Sequence, residues 1–164
     1  MADKSNFMKE EWVLLLESPM MAGMAITAAD PSGLWGLLKE SIAGGNALAK
    51  AIADPGANPL VKALATDFST SEARSAARDR LKAKFAGSQA ANVKTKSIEA
   101  LRQVSAVLQA KAPADAPAFK SWLRQISQTT AEAASEGGLL GFGGVQVSEA
   151  EKATLAEISS VLNV

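Results

Sequence analysis

The chain has 164 residues, 48% of them apolar, and 17 basic residues balance 17 acidic ones to a formal net charge of zero. That length and apolar content suit one domain around a single core and argue against intrinsic disorder. Cysteine, histidine and tyrosine are absent. Disulfides, thiolate chemistry, imidazole metal ligation and the usual general base near neutral pH are therefore excluded, and any catalysis would fall to carboxylates, lysine, arginine, serine or threonine.

Abundant alanine and scattered β-branched residues favour helices over strands. The opening Met-Ala-Asp-Lys-Ser-Asn lacks a basic start followed by an apolar core, so no secretory signal is expected. A first helix is expected to follow Ser5 or Asn6 and to run to about Glu17, with Trp12, Leu15 and Leu16 at helical spacing. Ser18 followed by Pro19 reads as the cap and first position of a second helix, since the first helical turn has no use for the amide that proline lacks. Met20, Met21, Met24 and Ile26 give that helix an apolar surface all round, which calls for burial in the core or in a partner. Neither apolar run approaches the roughly 20 residues needed to span a bilayer. The expectation is a soluble, cytoplasmic protein.

Asp30-Pro31 and Asn58-Pro59 repeat the cap-plus-proline signal. The first opens a helix striped by Leu34, Leu37, Leu38 and Ile42, which Gly44-Gly45 is expected to end or kink. A short helix over residues 46–53 and a turn at Asp54-Pro55-Gly56 follow. After Asn58, residues Leu60, Leu64 and Phe68 share a face. Residues 71–85 carry only a thin seam, Ala73, Ala77, Leu81 and Phe85, with Arg74, Arg78 and Lys82 beside it at intervals of four. Such a helix is expected to be largely exposed or docked on another chain. Beyond a break at residues 87–92 come a helix with Ile98, Leu101, Val104 and Leu108, and one opened by Pro117 with Phe119, Trp122, Leu123 and Ile126. The reading is all-α: a compact multi-helix bundle of about seven to eight short helices in a single domain.

The stretch over residues 119–161 organises the rest. A striped helix ends in Glu136-Gly137-Gly138, a loop with Gly141, Phe142, Gly143 and Gly144 follows, and a last helix with Leu155, Ile158 and Leu162 starts at Ser148. Ser148 and Glu151 have the spacing of a capping box. The loop is expected to clasp the last helix against the Phe119–Ile126 stripe, with Leu139, Leu140, Phe142 and Val145 as plugs. Glycines ahead of a helix can also cradle phosphate, but no strand precedes them, and Glu149 and Glu151 would repel an anion there. Glu132 and Glu136, four apart, could join Glu40, Asp67 or Glu151 in a carboxylate metal site. Di-iron bundles add a histidine to such glutamates, however, and this chain has none. Ser32, near Lys39 and Glu40, and Ser121, after Lys120, are weak nucleophile candidates, since no motif ties either to a base.

Charge is unevenly spread. Residues 73–97 hold seven cations against Asp79, and residues 131–164 hold five glutamates against Lys152. The plain reading is helix faces that complement each other within the fold or an oligomer. The sharper one is a basic patch over residues 74–96 for anionic membrane or nucleic acid, which zero net charge disfavours.

The segments Phe119-Lys120-x-Trp122-Leu123, Glu136-Gly137-Gly138, Leu140-Gly141-Phe142-Gly143-Gly144-Val145-x-Val147-Ser148-x-x-Glu151 and Ala28-Ala29-Asp30-Pro31-Ser32-Gly33-Leu34 resemble a group of small, uncharacterised bacterial proteins. The resemblance implies a bacterial all-helical protein and carries no catalytic residues. The leading expectation is a non-enzymatic cytoplasmic protein acting through contacts with itself or another protein, without a cofactor. The runner-up is a small-molecule binder or carboxylate-based enzyme with a pocket near the glycine loop.

Overall fold

The computed structural model describes residues 2–29, 36–135 and 147–164, and gives the backbone alone for 36–44 and 134–135. Seven α-helices take up 81% of what is described, with no strand among the described residues. The protein is an all-α bundle. A 3-10 turn at Lys4–Asn6 precedes α1 (Lys9–Thr27), α2 (Gly36–Ala53), α3 (Pro59–Phe68), α4 (Ser71–Phe85), α5 (Ala90–Lys111), α6 (Ala116–Ser135) and α7 (Glu149–Leu162).

Helix α1 is the centre of the bundle and packs against all six other helices. Leu15, Leu16, Met21, Ala22, Ala25 and Ile26 are buried along it, in one cluster with Leu101, Val104 and Leu108 of α5 and Phe119 and Leu123 of α6. Sequence spacing splits this element at Ser18-Pro19; the structure keeps one helix with Pro19 inside it. The reason lies one residue earlier. Proline cannot donate to the Leu15 carbonyl four residues back, and the Ser18 hydroxyl donates to that oxygen instead, at 2.7 Å. The polar residue that reads as a cap is a substitute donor inside the helix.

A second correction concerns the expected end at Gly44-Gly45, since α2 runs through both glycines to Ala53. Open space surrounds the position a Gly45 Cβ would take, so no close packing explains that glycine. The first helix also starts later than expected, since Ser5 and Asn6 lie in the 3-10 turn and α1 follows Met8. At α3, α4 and α7 the boundary signals hold. Asn58 caps α3 through Oδ1, which accepts from Leu60 N at 2.9 Å, with Pro59 in the first turn. Thr70 caps α4, and Gly87, at φ +67°, makes the left-handed turn before α5. Ser148 and Glu151 form the capping box of α7, and Asn163 ends that helix in the left-handed region. The start at Asp30-Pro31 lies outside the described residues.

Candidate functional site

Two polar arrangements stand out, one inside the bundle and one on its surface. The inner one is centred on Glu17, fully buried on α1. Arg80 Nε and Lys84 Nζ, four residues apart on one face of α4, each stand 3.0 Å from its carboxylate oxygens. Lys84 donates a hydrogen bond to Oε2, whereas Oε1 has charge contact with Arg80 but no aligned donor. Arg80 also donates to the Glu10 carbonyl at 3.1 Å, so α4 is tied to α1 at two levels. Burying a carboxylate is costly unless cations and donors surround it. This cluster accounts for two of the basic residues in the 74–96 segment. Lys94 pairs with Glu157 of α7, and Lys96 donates to the Lys84 carbonyl and to Ser88 Oγ. Arg74 donates to the Ser69 carbonyl and, with Arg78 and Lys82, faces solvent. Spacing alone gives Glu17 no role. The available signal is an acid inside the apolar run over residues 12–26, combined with two cations at i, i+4 on a helix poor in apolar residues.

The outer arrangement is a groove of about 390 Å³ between the second half of α2 and the first two-thirds of α6, with the start of α3 at one end. Its α2 wall repeats at helical spacing through Ala47, Lys50 and Ala51, continued by Asp54 just past the helix end, and its α6 wall through Trp122, Gln125, Ile126 and Thr129. Val61 and Ile126 are buried beneath it, and Trp122 is half-buried and packs edge-on against Phe119 at 5.4 Å between ring centres. One end is rigid. Asn58 Nδ2 donates to Asp115 Oδ1 at 2.9 Å while its Oδ1 caps α3, and Asp115 Oδ2 accepts from Ala2 N at 2.9 Å. Asp54 Oδ1 accepts from Gly56 N at 2.8 Å, closing the turn after α2. The Trp122 indole N–H and the Lys50 ammonium have no protein partner among the described residues. The groove thus offers an apolar wall, amide and hydroxyl groups on its rim, one cation and one anion.

The residues singled out from sequence fall as follows. Ser148 and Glu151 are structural caps. Glu132 is exposed and its Oε1 accepts from Gln128 Nε2 at 2.8 Å. Of its suggested companions, Asp67 accepts from Trp12 Nε1 at 2.7 Å and pairs with Lys4 at 3.0 Å, and Glu151 caps α7, so neither is free to join it. No group of acids able to hold a metal ion occurs among the described residues. Glu136, Gly137, Gly138, Gly141, Phe142, Gly143 and Gly144 lie outside the described residues, as do Leu139, Leu140 and Val145 and the side chain of Glu40. Beyond that loop, Leu155, Ile158 and Leu162 are buried in one cluster with Phe119, Leu123 and Ile126, and Arg124 Nε donates to Ser159 Oγ at 3.0 Å across the α6–α7 contact. A smaller recess beside that contact is lined by Arg124, Val147 and Lys152.

Compared with known protein families, with curated proteins and with solved structures, the chain matches none.

Proposed function

We propose that the protein is non-enzymatic and acts through contacts with another protein chain, either a second copy of itself or a partner to which it adapts. One observation supports this reading above others. Among the described residues, the acids taken out of solvent are Glu17, Asp115 and Glu151, and each is committed to the fold: to Arg80 and Lys84, to Asn58 and Ala2 N, and to the Ser148 amide. A carboxylate engaged in this way serves the fold rather than standing open to a ligand, which supports a reading without carboxylate catalysis. Function then falls to outer surfaces. The α2–α6 groove presents a half-buried tryptophan, the kind of side chain that anchors protein contacts. Ile52, 45% exposed on α2, adds apolar surface to the same helix.

On the strength of its sequence we place the protein in the bacterial cytoplasm; no described helix is long and apolar enough to cross a membrane. Sedimentation velocity of the full chain over a wide concentration range tests the self-association form. The expected result is a sedimentation coefficient that rises with concentration, and less so for Ile52→Glu and Trp122→Glu. A wild-type protein that stays monomeric throughout would remove the homo-oligomer and leave the adaptor alone.

A further inference from the structure

We infer that the α2–α6 groove is a binding site for a small zwitterion with an apolar body, of the class of a free aromatic or aliphatic amino acid. The first argument is size. About 390 Å³ falls within the range of pockets that enclose small ligands, and such pockets combine apolar walls with a few placed polar groups. The second is the composition of the two walls. Trp122 and Ala118 of α6, with Ala47 and Ala57, present an apolar surface above the buried Val61 and Ile126, and the Trp122 indole N–H has no protein acceptor among the described residues. An aromatic or branched side chain laid there removes apolar surface from water on both partners.

The third argument is charge. Lys50 and Asp54 stand one helical turn apart on the opposite wall, and they form no ion pair with each other. Asp54 is held by the Gly56 amide through Oδ1, which leaves Oδ2 for a second donor. A ligand with a single charge would satisfy one of the two and leave the other beside it. A ligand that carries a carboxylate and an ammonium on one carbon meets both, the carboxylate toward Lys50 and the ammonium toward Asp54. Gln125 and Thr129 sit across the groove, with amide and hydroxyl groups to serve the remaining donors and acceptors. Both charged residues are exposed, so they select and orient the ligand while the apolar wall supplies most of the affinity.

This site goes beyond the contact function proposed above. Because Trp122 serves both, the titration is made at a chain concentration at which sedimentation gives a monomer. A protein that self-associates at higher concentration yet takes up no amino acid as that monomer would leave that function standing and remove this one. The test is a titration of the ¹⁵N-labelled full chain, following the indole N–H resonance of Trp122, which Trp122→Phe identifies among the three tryptophans. The probes are L-phenylalanine, phenethylamine (no carboxylate), 3-phenylpropionate (no ammonium) and the dipeptide Phe-Ala. L-phenylalanine is expected to shift the resonance saturably, and each singly charged analogue to bind about threefold more weakly, the scale of one exposed ion pair. Lys50→Gln should erase the preference over phenethylamine alone, and Asp54→Asn the preference over 3-phenylpropionate alone. Both substitutions lie on exposed surface and leave the core untouched. Equal binding of L-phenylalanine, phenethylamine and 3-phenylpropionate would overturn the zwitterion assignment, as would tighter binding of Phe-Ala. A Trp122 resonance that none of them moves would overturn the site itself.

Discussion

Helix α1 is covered by two different materials. Toward α5 and α6 it meets Leu101, Val104, Leu108, Phe119 and Leu123, all fully buried, and the contact is held by apolar area. Toward α4 it meets Ala73 and Ala77, with Leu81 and Phe85 partly covered, and the contact is held by Glu17 between Arg80 and Lys84. The difference teaches what each helix needs in order to stay. An apolar face is insensitive to which partner atom it touches. A buried carboxylate is favourable only while its cations are in place, because its desolvation cost is met by them alone. The α4 side of the bundle should therefore be the side that opens first.

The largest expected effect breaks the apolar side. Phe119→Ala should destabilise the whole protein by about 3–5 kcal/mol, read as a lower urea midpoint with protection from amide exchange lost evenly across α1, α5 and α6. Glu17→Ala breaks the other side. Its cations are 38% and 23% exposed and can be rehydrated, so the cost should fall below that of a fully buried pair, at about 1–3 kcal/mol. The informative reading is where the loss appears. Amides of α4 should exchange faster while those of α5 and α6 keep their protection. Equal loss in both places would show that the charged and apolar contacts form one cooperative unit.

Two smaller effects sharpen the comparison within α1 and at its N-terminal approach. Ser18→Ala leaves the Leu15 carbonyl without a donor beneath Pro19, and should cost about 1–2 kcal/mol with a larger bend at that point, measured by denaturation and by residual dipolar couplings. Asp3 gives the smallest. Its carboxylate accepts from the Ser5 hydroxyl and then from the Ser5 amide, which together hold it below its ordinary pKa of 3.8. A depressed carboxylate contributes stability that is full above the ordinary pKa and is lost as the pH falls through the lowered one. An acid titration of the Ser5 amide resonance should thus show the 3-10 turn fraying below pH 3.8, an effect that Asp3→Asn removes.

Much of this architecture is legible in the sequence, and for local reasons. Asn58-Pro59 starts α3, Ser148 and Glu151 cap α7, and the thin seam of α4 reads directly as an exposed helix, because caps, proline and periodicity act over one or two turns. Ser18-Pro19 misleads for an equally local reason: a serine before a proline has the same spelling whether it caps a new helix or repairs an old one. Only the continuity of the apolar burial on both sides, from Leu16 to Met21, decides for repair.

The site is less legible. The walls of the α2–α6 groove are each visible as helical stripes, yet residues 47–54 and 122–129 are some seventy positions apart, and no spacing rule joins them. Spacing also shows Arg80 and Lys84 on one face without showing that the face is turned inward to Glu17. The sequence by itself determined which segments are helical, where most of them begin, and that cysteine and histidine chemistry is closed to the protein. Tertiary structure alone decided which charges are buried and which two helices leave a gap between them. Helix formation depends on neighbours within four residues, whereas burial and concavity depend on which distant surfaces happen to meet.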